Sequence, residues 1–147
     1  MKHLCALCLT GLLIANGAAA QQVSECDWQV RAENIVEPWE AHTRTFANGA
    51  VRLALLDTVE PAAGALHILI LSPPYDEFDE RQCRTIGLGG SVGFSAVDWA
   101  VLSSDYDPAR GLVFSLPVRA HDGEGFQPAL LGFTLNQTTG EITAVMQ

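Results

Sequence analysis

Gly89-Gly90-Ser91-Val92-Gly93 matches GxSxG, the pattern in which a serine hydrolase presents its nucleophile, and Asp107 and His121 follow in the order such enzymes use. The pattern alone is not the chemistry. A sharp strand-to-helix turn must lift the serine above a parallel sheet, and backbone N–H groups must converge on the developing oxyanion. Residues 87–93 hold four glycines in seven positions and no helical periodicity follows them, so the segment reads as a turn. A small hydrolase using Ser91 is carried as the alternative.

Asp76, Glu77, Asp79 and Glu80 crowd four carboxylates into one short segment, the hard oxygen donors that calcium takes in numbers of about six to eight. Their spacing is not that of an EF-hand loop, no glycine supplies its sharp turn, and Arg81 stands beside them as a counter-charge. A solvated acidic face is the reading, with a calcium-stabilised protein as a further alternative. His42, His67 and His121 are isolated, with no HExxH or His-x-His spacing that would aim two rings at one metal. His67 stands in an apolar run and reads as a packed histidine. The sequence therefore implies no metal and no cofactor.

The aromatic residues divide in two. Trp28 and Trp99 fall in alternating patterns and are expected in the core, whereas Trp39, Tyr75 and Phe78 lie in proline-containing or acidic loops. These three are the candidate contact residues for a ligand or partner.

The elements that must position such groups are strands. Residues 65–71 form an apolar run broken only by His67 and bounded by Gly64 and Pro73-Pro74, as expected of a central strand covered on both faces. Asn48-Gly49 tolerates the positive φ of a type I′ turn and should join residues 42–47 to 50–56, which lead on into the central strand as a three-stranded meander. Residues 26–32 alternate Trp28, Val30 and Ala32 against polar neighbours and predict a strand. Residues 81–86 predict a short strand. Residues 94–102 lean toward a strand, with a helix as the other reading, and should pair with 112–118 through the turn at Asp107-Pro108 and Gly111. Residues 121–128 predict a polar loop, and 130–135 with 141–145 a final hairpin.

Composition sets the compartment and removes several partners. Residues 1–20 combine Lys2, an apolar stretch too short to span a bilayer, and Ala18-Ala19-Ala20, which predicts a bacterial Sec-type signal peptide followed by a single domain over 21–147. Of four cysteines, Cys26 and Cys83 remain in that domain and predict a disulfide. All 17 carboxylates lie beyond Gln21, where the only cations are arginines, giving a net charge of −9 for the chain. That balance excludes nucleic acid and anionic lipid surfaces, since no cationic surplus exists to replace released counterions. The absence of lysine beyond Lys2 removes Schiff-base chemistry.

Short strands with turns about every ten residues predict an all-β, single-domain antiparallel β-sandwich or small β-barrel with one disulfide. The function expected of it is non-catalytic: a periplasmic or secreted binding or accessory module of the cell envelope, with an envelope protein or small ligand as partner and no membrane span.

Overall fold

The computed structural model describes residues 22–147, so the expected signal peptide lies outside the described residues. The fold is all-β. Five strands, β1 (Gln22–Glu25), β2 (Thr43–Phe46), β3 (Val51–Asp57), β4 (Leu66–Tyr75) and β5 (Arg81–Gly87), form an antiparallel sheet in the order β1-β5-β4-β3-β2. A second antiparallel sheet holds β6 (Ala96–Val97), β7 (Ser103–Asp107), β8 (Gly111–His121), β9 (Phe126–Leu135) and β10 (Ile142–Met146) in the order β10-β9-β8-β6, with β7 also along β8.

The expected central strand is the middle of the first sheet. β3 and β4 alternate: Leu53, Leu55, Ile68 and Ile70 face the second sheet, while Ala54, Leu56, His67 and Leu69 face away. Phe114, Leu116, Leu131 and Phe133 answer from the second sheet, where the rings of Phe114 and Phe133 stack at 4.7 Å and Phe46 meets Phe114 edge-on at 5.0 Å. Each fully buried Leu or Ile contributes about 1.5–3 kcal/mol. The sheets are tied along one side by residues 93–97. Phe94 exchanges backbone hydrogen bonds with Leu66 of β4, and two residues later Ala96 opposes Arg119 of β8.

The hairpin around Asn48-Gly49 forms, but with residues 47–50 as its loop, since Phe46 opposes Val51. Three consecutive residues take positive φ there, Ala47 at 52°, Asn48 at 55° and Gly49 at 88°, so the loop is a longer left-handed coil than the expected two-residue turn.

Four expectations are corrected. Residues 26–32 are not a strand: 3-10 turns occupy Trp28–Val30 and Ala32–Asn34. These residues follow directly on β1, whose pairing with β5 ends at Glu25–Arg84. From Cys26, bonded to Cys83 of β5, the chain leaves that edge and turns across the sheet face, where Val30 and Ile35 pack against Ala54, Leu56 and Leu69. Trp28 accordingly stands 39% exposed, outside the core in which it was expected; Trp99 does lie buried.

Residues 94–102 are only briefly a strand, at β6, before a 3-10 turn at Trp99–Val101. Pro117 accounts for the break. Its carbonyl accepts from the Asp98 N–H, so its nitrogen faces that same edge of β8 and has no hydrogen to donate to a continuing strand.

The expected loop at 121–128 is the tip of a long hairpin, because β8 runs on to His121 and β9 begins at Phe126, directly opposite. The central strand also continues through Pro73-Pro74 to Tyr75. Its pairing with β5 shifts register between Ser72 and Tyr75, which lets the prolines bulge.

Candidate binding face

The two sheets treat their outer faces differently. On the first, Leu56 is fully buried, and Ala54 and Leu69 nearly so, although they point away from the shared core. Residues 26–36 cover them with Val30 and Ile35, and three ties hold this cover down. The Cys26–Cys83 disulfide spans a Cα–Cα distance of 5.4 Å, the Val36 N–H donates to the Leu55 carbonyl at 3.0 Å, and Ile35 bridges Leu56. The Asn34 side-chain amide, donating to the Gln29 carbonyl at 2.9 Å, braces the turns.

His67 belongs to this sealed face. It is 2% exposed, its Nε2 has no hydrogen-bond partner, and residues 87–93 lie over its ring. A Cβ at Gly87 or at Gly93 would come within 2.9 Å of a His67 ring nitrogen, which is why the covering loop carries glycine at both positions. Burial holds the His67 imidazole below the ordinary histidine value of 6.5, so the ring is neutral at neutral pH. The expectation of a packed histidine describes it.

Among the described residues nothing covers the outer face of the second sheet in this way. Because Phe114, Leu116, Val118 and Ala120 of β8 face the core, Val113, Ser115, Pro117 and Arg119 face out. On β9 the outward positions are Phe126, Pro128, Leu130, Gly132 and Thr134, and on β10 they include Val145. Phe126, Leu130 and Val145 are 47%, 41% and 45% exposed. Pro117 opposes Leu130, and Gly132 opposes Ser115 on one side and Val145 on the other, leaving a notch in the middle of the apolar strip. A hollow of about 430 Å³ at one end is lined by Ala96, Pro117, Arg119 and Pro128, and one of about 250 Å³ reaches Gly132 and Val145.

Charge is distributed unevenly around this strip. The outward positions of β8, β9 and β10 carry no carboxylate, and Arg119 is their one arginine. Carboxylates stand at the margins: Asp98 beside the larger hollow, Asp105 on the edge strand opposite Val113, Asp122 and Glu124 in the β8–β9 turn, and Glu141 before β10. Two aspartates of this half also shape turns. Asp107 accepts from the Ala109 N–H at 2.8 Å and pairs with Arg110 at 2.9 Å; Asp122 accepts from the Glu124 and Gly125 N–H groups. These bonds hold both carboxyls below their ordinary range, led by the backbone N–H groups of Ala109 and Glu124 respectively.

The residues singled out from sequence do not converge. Trp39 opens a one-turn helix, Trp39–His42, in the excursion between Ile35 and Thr43, off the edge of β3 near Ala54 and Leu56. Tyr75 and Phe78 lie past Ser72, at the end of the sheet where the Arg81 guanidinium donates to the Gly49 carbonyl. Trp39 and Tyr75 are each 49% exposed and Phe78 is 76% exposed, but the fold gives them two separate locations.

Ser91 occupies a closed turn in which Gly89 and Val92 exchange backbone hydrogen bonds. Asp107 pairs with Gly111 at the start of β8 and His121 ends that strand, so about 30 Å of strand rise separates the two residues that were to complete a triad with Ser91. His121 instead stacks edge-on against Phe126 at 5.1 Å, and its Nδ1 accepts from the Gly123 N–H. In the acidic turn the Asp76 carboxylate accepts from the N–H groups of Phe78 and Glu80, and among the described residues no three His, Cys, Asp or Glu side chains converge as metal ligands.

The exposed strip is not among the sequence candidates because residues 121–128 predict a loop. Its signal was present: residues 128–133 are apolar on both alternate sets, more than a strand with one wet face requires. Comparison of the chain with protein-family models, with curated proteins and with solved structures finds no match to any of them. Among the described residues no helix is long and apolar enough to cross a membrane, and the disulfide is compatible with an oxidising, exported location.

Proposed function

We propose that this protein is an exported, non-catalytic β-domain that serves as a binding or accessory module of the cell envelope, periplasmic or secreted. The observation that carries the reading is the contrast between a first sheet whose outward Ala54, Leu56 and Leu69 are buried beneath a cover and a second whose outer face presents Phe126, Leu130 and Val145 to solvent. Contiguous exposed apolar residues with a polar rim are the mark of a contact surface. Covalent anchoring of Cys26 to Cys83 supports it further, since a rigid scaffold loses less entropy on binding.

The test is capture of partners from a cell-envelope extract by the oxidised mature chain, with Leu130→Glu and Trp39→Ala/Phe78→Ala proteins beside it. Specific capture lost in either variant is the expected result. Labelling of wild type by an active-site serine reagent, abolished in Ser91→Ala, would overturn the non-catalytic reading.

A further inference from the structure

Resting on that reading, we infer that the outer face of the second sheet docks a protein segment with an apolar centre flanked by basic residues. The apolar part of the inference follows from the strip itself. Phe126, Pro128 and Leu130 follow one another on the outward side of β9, and Pro117 and Val145 extend the strip onto the two neighbouring strands. Three of these residues are more than 40% exposed, and the notch at Gly132 gives a side chain from outside somewhere to enter.

The basic part follows from the margin. Asp98, Asp105, Glu124 and Glu141 border the strip on three sides; the strip itself has no carboxylate, and the arginines nearby are Arg119 within it and Arg110 beside Gly132 and Val145, the latter paired with Asp107. Within a chain of net charge −9, such a margin repels an acidic partner and attracts cations placed outside an apolar contact. A second copy of this chain would bring acidic margin against acidic margin, which argues against self-association. An anionic lipid surface is disfavoured by the same charges.

The probe is a short synthetic peptide with a valine-leucine-valine centre and arginines on both flanks, set against a counterpart with glutamates in their place. Both are titrated into the oxidised mature protein and followed by calorimetry and by amide chemical-shift mapping. Saturable binding of the arginine peptide is expected, roughly tenfold or more tighter than the glutamate peptide, weakened by salt and shifting amides of β8 and β9. Leu130→Glu should abolish it, and Val145→Glu serves as a second lesion should the first disturb folding. Asp105→Asn combined with Glu141→Gln should weaken it several-fold with the apolar strip intact.

Equal affinity for both peptides, or no saturable binding of either, overturns the assigned partner chemistry and leaves the envelope-capture experiment to judge the module reading. Binding lost in Trp39→Ala/Phe78→Ala but kept in Leu130→Glu overturns this face while the module reading stands. A concentration-dependent dimer that Leu130→Glu dissociates would give the face to a second copy and overturn the inference.

Discussion

The outer faces of the two sheets carry similar kinds of side chain and meet different fates. Leu56 and Leu69 on the first are sealed beneath residues 26–36, whereas Leu130 and Val145 on the second are 41% and 45% exposed. The first face needs its cover because burying those side chains stabilises the fold; the second is left open at a cost in exposed apolar area that folding alone does not explain. Stability thus draws on the covered face, and the recognition proposed for this protein falls to the open one.

That division can be broken most severely at its covalent anchor. Replacing Cys26 and Cys83 by serine frees the cover and opens a loop with a sequence separation of 57, which should lower unfolding free energy by about 4 kcal/mol in urea titrations. Leu56→Ala, beneath the cover, should cost about 2–4 kcal/mol by the same measurement. Leu130→Ala, the same chemical change on the open face, should cost less than about 0.5 kcal/mol. A similar loss at both leucines would erase the distinction.

Acid sharpens the contrast further. His67 under its cover is held neutral, so as pH falls below 6.5 the unfolded chain binds a proton that the folded chain refuses, and stability declines. Above 6.5 this residue contributes no slope. His67→Leu should remove the decline between neutral pH and pH 5. Asp107 and Asp122, on the open sheet, act lower: their depressed carboxyls stabilise the fold above the ordinary value of 3.8 and lose that effect as pH falls through their folded-state values. Asp122→Asn should therefore lower stability above about pH 4 and converge on wild type as the pH falls below it, by the smallest effect considered.

How much of this was legible in the sequence depended on whether local chemistry or neighbours decided the structure. Asn48-Gly49 announces its hairpin because few residues accept positive φ, and the apolar run around Ile68 and Ile70 announces a strand buried on both faces. Cys26 and Cys83 pair as cysteine arithmetic implies for a chain expected to be exported.

The misreadings all required tertiary knowledge. Residues 26–32 alternate like a strand, but the pairing of β1 with β5 stops at Glu25–Arg84 and the chain turns from there onto the apolar face of the sheet, which only the tertiary packing reveals. Pro117 interrupts a neighbouring strand, an effect written at a different position from the one it acts on. Of the site, the exposure of Trp39, Tyr75 and Phe78 was foreseen from their loops, but their separation was not, since it depends on strand register. The open face was hidden because Gly123 and Gly125 looked like a loop, when they close a hairpin long enough to carry Phe126 and Leu130 outward.

The most direct test of the division pairs two readouts on Leu130→Glu: unfolding free energy and capture of envelope partners, each against wild type. The account predicts unfolding within about 0.5 kcal/mol of wild type with capture lost. A variant that unfolds readily, or one that folds normally and captures the same partner, would contradict it.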